Sequence, residues 1–271
     1  MNRSGYWADL SADDFRALDA AHTVAVLPLG ATEQHGPHLP VSVDRDLVDE
    51  VIRRGLTLLD GALPVLVLPT LSVGKSNEHA AFAGTLTLSA ETLLRVLMEL
   101  GQSVTRAGVR KLLLVNGHGG NVPIMDLVAR DLRAQHGLVT AGCSWYALSG
   151  EDSVLDAREQ AHGLHAGESE TSAMLVVRGE LVNMAKARDF TSASEQWATD
   201  YEFLGLGSRP GKLGWVIGDL NPDGACGNAA AATAEKGERL LATAAAGLAG
   251  LLREFAALPL DPGGADAAEA R

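Results

Sequence analysis

Thr23 to Asp44 reads TVAVLPLGATEQHGPHLPVSVD. Its opening, up to Gly30, is a short and almost unbroken apolar run. Such a run, without polar alternation, is the pattern of a strand covered on both faces, as in a parallel sheet. The loop after the glycine carries Glu33, His35, His38 and Asp44. Carboxylate oxygens and imidazole nitrogens are the groups that hold divalent ions and move protons. In an open α/β sheet, ligands bind at the loops past the carboxyl ends of the strands.

The same arrangement recurs outward from this stretch. Pro64 to Pro69 (PVLVLP) is a second buried run, opening into Ser72 to Gly84 with Lys75, Ser76, Asn77, Glu78 and His79. Lys111 to Asn116 (KLLLVN) is a third, ending in Gly117, His118, Gly119, Gly120 and Asn121. Val139 to Tyr146 is the predicted fourth strand. Helical spacing predicts helices over 46–59, with Leu47, Val48, Val51 and Ile52 on one face, over 89–106 with Ser89 as cap, and over 123–135. Ser11 caps a short helix, with Asp13 and Asp14 in its first turn. Residues 147–162 read as polar and irregular. A helix is predicted over 168–178, and a long Ala/Leu helix over 229–255. Residues 185–227 read as loop, with a short strand at Gly214 to Ile217.

Alternating strands and helices predict one domain over residues 1–257. Its fold class is α/β: a three-layer α/β/α stack with a mostly parallel central sheet. The Pro/Gly/Ala-rich tail at 258–271 is expected to be flexible. The loops at 30–44, 70–84 and 116–121 then share one edge of the sheet.

Composition narrows the partners. Of 271 residues, 46% are hydrophobic and 21% charged, a globular balance with enough apolar mass for a core. Twenty-two Lys+Arg against 34 Asp+Glu leave a net charge of −12, which argues against nucleic acid and anionic membranes. Cys143 and Cys226 fit no CxxC pattern and are expected to be reduced thiols. The N-terminus has no apolar signal core, and no apolar run nears about 18 residues without glycine or charge, so the expected location is cytoplasmic.

A fourth cluster, His165-Ala166-Gly167-Glu168-Ser169-Glu170-Thr171-Ser172, stands at the start of a predicted helix. No HExxH, P-loop or GxSxG motif is present. Each histidine alone is as readily a loop or core residue, but four acid/His clusters on one sheet edge point to a site. Glu168 is expected to face solvent or cap its helix, and Lys75 to be a surface charge.

In order, ATEQHGPH…D, SNEHAAFAGT, NGHGGN and HAGESETS resemble the creatininase family of metal-dependent amidohydrolases. The resemblance runs from the first strand to about Leu175. It implies a layered α/β/α domain in a homo-oligomer such as a hexamer, and a small-molecule amide substrate. It also implies two divalent metal ions per chain: Glu33 and His118 on one, His35 on the other, Asp44 bridging. The family's type enzyme has a further acid ligand two residues after its NGH histidine, where this chain has Gly120. Glu170 is the candidate replacement, as a metal ligand or as a catalytic group beside one. His165 matches the family's proton-transfer histidine, a general acid suited to a pKa near 6.5. Ser76, His79, Gly119 and Tyr146 stand where substrate would be contacted, and His38 reads as a support or a loop residue.

The expected reaction is hydrolysis of a non-peptide C–N bond in a cyclic, N-acyl or formyl amide, with a metal-bridging hydroxide as nucleophile. Zn, Mn and Fe all suit such donors. The alternatives are a degenerate, merely metal-binding member, or a peptidase acting on a modified cofactor-precursor peptide. The family's substrate-holding tryptophans are reversed at Trp145-Tyr146 and missing before His165, which argues against creatinine.

Overall fold

A computed structural model describes residues 5–19, 22–59, 61, 63–207 and 209–261. Ser11 opens α1 (Ala12–Arg16) in a capping box with Asp14. The central unit then runs β1 (Val24–Leu29), α2 (Val43–Thr57), β2 (Val65–Val67), α3 (Ala90–Arg106), β3 (Lys111–Asn116), α4 (Val122–His136) and β4 (Val139–Ser144). These strands pair in the order β2-β1-β3-β4, all parallel.

Pro28 sits inside a strand flanked on both sides, although proline cannot donate to a ladder. The register explains how. The Val26 and Pro28 carbonyls face the β2 side, accepting from Leu68 N and Leu71 N. β2 pairs only as far as Val67, so the missing N–H falls where the ladder has already ended.

Side-chain alternation builds two cores. Val24, Val26, Leu113 and Val115 face one layer, where they join Leu47, Val48 and Val51 of α2. Ala25, Leu27, Leu29, Leu112 and Leu114 face the other, with Leu93 and Leu97 of α3 and Val128 and Leu132 of α4. The connection β1–α2–β2 covers one face, and both β2–α3–β3 and β3–α4–β4 cover the other. The chain therefore reverses its direction of growth between β1 and β3, and the crevice at such a switch point is where open sheets bind ligands.

The remaining elements are α5 (Ala157–His162), α6 (Glu168–Val177), β5 (Asp189–Phe190), α7 (Ser194–Asp200), β6 (Leu204–Gly205), β7 (Gly211–Lys212), α8 (Ile217–Leu220), β8 (Gly227–Asn228) and α9 (Ala234–Ala257). β5 pairs with β8. Ile217, Leu220 and Cys226 form a small third core with Phe82, Trp197 and Trp215. The fourth strand is shorter than predicted: from Trp145 to Leu148 the chain is a 3-10 helix. Residues 147–162 are partly helical, because Asp156 caps α5 through Glu159 N. No strand forms at Gly214 to Ile217; Ile217 begins α8 instead. The long helix starts later than predicted, at the Thr233 cap. Of the expected flexible tail, 262–271 lie outside the described residues.

α9 is long and apolar enough to cross a membrane by composition. Its apolar stripe, Leu240, Leu241, Ala244, Leu248 and Leu252, is buried, and the helix packs on α2 and α6, so it is a core helix. The α6–α9 approach is close: a Cβ on Gly237 would overlap the Ser172 carbonyl. We expect Gly237→Ala to force the helices apart and to lower unfolding free energy by about 1–3 kcal/mol. Denaturant unfolding of the purified variant measures this.

Candidate metal centre

Four chain segments meet at the carboxyl edge of β1 and β3. Glu33 and His35 follow β1. Asp44, predicted in the loop, lies in the first turn of α2, because that helix starts at Val43. His118 follows β3, and His165 and Glu170 flank the start of α6. Glu33 and His35 are fully buried, and Asp44, His79, His118 and His165 nearly so.

The two oxygens of Asp44 face different imidazoles. Oδ1 is 3.4 Å from His35 Nε2, and Oδ2 is 3.6 Å from His118 Nδ1. Glu170 Oε1 is 3.7 Å from the same His35 nitrogen. Glu33 Oε1 is 3.2 Å from the same His118 nitrogen. Both Glu33 oxygens, Asp44 Oδ2 and His35 Nε2 are buried without a hydrogen-bond partner.

The other imidazole nitrogens are committed. His35 Nδ1 donates to the Glu33 carbonyl at 3.0 Å, and His118 Nε2 to the Lys75 carbonyl at 2.8 Å. Each ring therefore aims its lone pair inward, the arrangement of ligating histidines held by backbone carbonyls. His165 Nε2 donates to the Gln34 carbonyl at 2.7 Å, leaving Nδ1 toward Glu33 Oε1 at 3.7 Å. His79 is the exception. Gln34 donates to its Nδ1 at 2.8 Å, so its proton sits on Nε2, 3.4 Å from Glu33 Oε1.

Charge follows burial. Burial alone lowers His35 and His118, but Asp44 and Glu170 around the first, and Glu33 with Glu78 and Asp44 around the second, lift both well above the ordinary value. Burial pushes Asp44 up, reinforced by Glu33. Glu170 is held down at about 2: burial opposes this, but His35 outweighs it. His165 falls to about 4, through burial and then the His35 charge, below the near-neutral value expected for it. Burial and the neighbouring imidazoles lower His79 as well.

A cavity of about 370 Å³ opens onto this cluster, walled by Glu33, His118, Gly119, Trp145, Tyr146, Gln160, Leu164, His165 and Glu170 among others. Gly119 and Tyr146 thus border it. Ser76 and His79 do not line its wall. Ser76 is fully buried, its Oγ 3.4 Å from His118 Nε2, and His79 sits behind Glu33. His38 is buried and bonds Thr171 Oγ1 at 2.9 Å, consistent with support. Glu168 does not face solvent: it is buried and paired with Lys236, because α9 packs over the start of α6. A Cβ at Gly120 would overlap the Lys75 carbonyl, His118 Nε2 and Glu78 Oε1. Both cysteines are free.

Three amide side chains escaped the reading of charge and imidazole. Gln34 binds His79 and the Gly224 carbonyl through Nε2, and Gly36 N through Oε1. Asn116 brackets both backbone groups of His118. Asn121 ties Lys75 N to the Gly30 carbonyl. Their only sequence signal was a place within the acid/His motifs.

Residues 8–252 match the creatininase family, described as creatinine amidohydrolase. The mycofactocin precursor peptide peptidase of Mycobacterium ulcerans (strain Agy99) is 36% identical over 222 residues, 80% of this chain and 79% of the relative. The creatinine amidohydrolase of Pseudomonas putida is 28% identical, over 94% of this chain and 98% of the relative. A solved creatininase in its Mn form matches at TM-score 0.73 and 26% identity, over 93% of this chain and 98% of that one. A solved variant creatininase of Zn–Zn type matches at TM-score 0.72 and 27% identity, over the same shares of 93% and 98%. The chain belongs to the creatininase family of metal-dependent amidohydrolases and is a hydrolase of carbon–nitrogen bonds.

Proposed function

We propose that this chain hydrolyses a cyclic, N-acyl or formyl amide at a centre of two divalent ions (Zn, Mn or Fe). Glu33 and His118 would hold one ion and His35 and Glu170 the other, with Asp44 shared. One observation carries the reading: buried Glu33, Asp44 and His35 atoms converge with no hydrogen-bond partner. Native structures seldom leave such groups unpaired. Three of these side chains, Glu33, His35 and Asp44, also lie close enough to share a cation. Glu170 would supply the further acid ligand from elsewhere in the chain, where the family's type enzyme has an acid at the position of Gly120.

Divalent ions bound there supply Lewis-acid chemistry, lowering the pKa of water and polarising a carbonyl. The chain's own part is proton transfer. With its pKa near 4, His165 is neutral at pH 7. Its Nδ1 can take the proton released when water attacks the acyl carbon, then hand it to the leaving nitrogen. The acyl product keeps the oxygen, and the amine leaves with the proton. We also propose a cytoplasmic, homo-oligomeric protein that takes no nucleic acid and no membrane. Free cysteines, the net charge of −12 and the exposed apolar Phe203 and Val216 support this.

A second reading has its own observation. A groove of about 400 Å³, lined by Trp197, Leu204, Leu206 and Ala161, shares Gln160 and Leu164 with the site cavity. It offers room for the apolar remainder of a peptide, in line with the similarity to precursor-peptide peptidases.

Four outcomes are expected. Metal analysis should find about two ions per chain, and Glu33→Ala should retain about one. Chelation should remove ions and amidase activity together, and readdition of Zn or Mn should restore both. His165→Ala should cut turnover about 10²-fold or more while ion content stays normal; a full-speed variant rules out the role given to His165. Hydrolysis should be seen with at least one of creatinine (read as ring-opened creatine), formanilide (read as released formate) and an apolar tetrapeptide (read as released amine). Preference for the tetrapeptide, weakened by Leu164→Asp, selects the peptide reading.

A further inference from the structure

Glu159 is a carboxylate in the interior without a counter-ion. It is 4% exposed, and no Lys, Arg or His among the described residues pairs with it. Burying an unpaired carboxylate is costly unless other dipoles replace water around it. Here backbone amides do so. Oε1 accepts from Glu168 N at 2.6 Å, and Oε2 from Asn228 N at 2.7 Å.

The position of these donors gives the carboxylate its reach. Glu168 N is the first amide of α6, whose cap residue, Gly167, has no side chain to accept from it. Glu159 caps the helix from elsewhere in the chain, with its negative charge at the positive end of the helix dipole. Asn228 belongs to β8. Two residues earlier, Cys226 N donates to the His165 carbonyl at 2.7 Å, and His165 N to the Cys226 carbonyl at 3.4 Å. Three glycines wrap the carboxylate: a Cβ on Gly163, Gly167 or Gly227 would overlap Glu159 Oε1. The segment 163–168, with His165 at its centre, is thus pinned between Glu159 and residues 226–228.

That segment is under strain. Ala166 has φ +52, the only non-glycine positive φ among the described residues. Such a conformation is unfavourable for a residue with a Cβ and persists only where the surroundings over-determine it. Ala166 N is also the donor to Glu170 Oε2 at 2.6 Å. The turn therefore aims His165 from its amino side and Glu170 from its carboxyl side.

We propose that Glu159 is a positioning residue for the hydrolysis: its carboxylate holds the His165–Ala166 turn so that the His165 ring faces the reacting amide. The proposal rests on the reading of His165 as the proton carrier. It fits the bonding better than charge balance or metal binding does, since both oxygens are used by amides and neither faces the metal cluster.

Glu159→Gln keeps the shape but sets an NH₂ group against one of the two backbone donors. The test is a double-mutant cycle of Glu159→Gln and His165→Ala on whichever amide of creatinine, formanilide and the apolar tetrapeptide the wild type hydrolyses. In the wild-type background, we expect Glu159→Gln to lower kcat about 10-fold or more, with KM and ion content within about twofold. In the His165→Ala background it should cost nothing further, because residues that act as a unit are non-additive. Should Glu159→Gln not fold, Gly167→Ala, which must displace the same carboxylate, is expected to give the same pattern.

An additive loss, or a full-speed Glu159→Gln beside a slow His165→Ala, overturns the role of Glu159 and leaves that of His165 standing. Loss of ions together with kcat overturns it too, since the effect then runs through Glu170 and not through His165. A full-speed His165→Ala, or no hydrolysis of any of the three amides, overturns both readings at once.

Discussion

Much of this molecule is arranged around one carboxylate. Asp44 stands between His35 and His118, with one oxygen toward each. For that to happen, the ends of β1 and β3 must be adjacent, and the first turn of α2 must enter between them. Adjacency comes from the parallel β1–β3 ladder, which runs in register from Val24–Lys111 to Leu29–Asn116. The entry of α2 comes from the burial of Leu47, Val48 and Val51 against the sheet. A helix begun one turn later would leave Asp44 in a loop, with less to fix its direction.

The interior chosen for this carboxylate is electrostatically expensive. Glu33, Asp44 and Glu170 crowd together with little solvent, and the raised His35 and His118 are the chain's own response. Imidazolium and divalent cations answer the same field, which is why acid, imidazole and missing hydrogen bonds occur together. The backbone carbonyls of Glu33, Gln34 and Lys75 then decide which nitrogen of each ring turns inward. Uncharged parts of the chain thus set the chemistry of the charged ones.

The sequence made the sheet legible because each central strand is a short apolar run ending in glycine or polar residues, and β3 was delimited to the residue. The edge strand β4 was read too long, because Trp145 continues the apolar pattern while its burial occurs in a 3-10 turn. Residues 185–227 were opaque: their core is Ile217, Leu220 and Cys226 against Trp197, Trp215 and, from elsewhere, Phe82, a contact set with no period. Glu33, His35, Asp44, His118, His165 and Glu170 all reach one place. That convergence was legible because each sits in a cluster at a strand or helix end. Gln34 and Glu159 were not, since their roles depend on backbone groups far away in sequence. Glu168 was misjudged for the same reason: its partner, Lys236, is on a helix that nothing local connects to it.

The crowding around Gly120 bears on how such a centre can change over time. In this chain, the space a side chain would need there is taken by the Lys75 carbonyl and Glu78, while Glu170 stands beside His35 from the opposite wall. Exchange of Gly120 for any larger residue therefore requires the 75–78 turn to withdraw first. The glycine and the course of that turn are set together on the His118 side, independently of the acid beside His35.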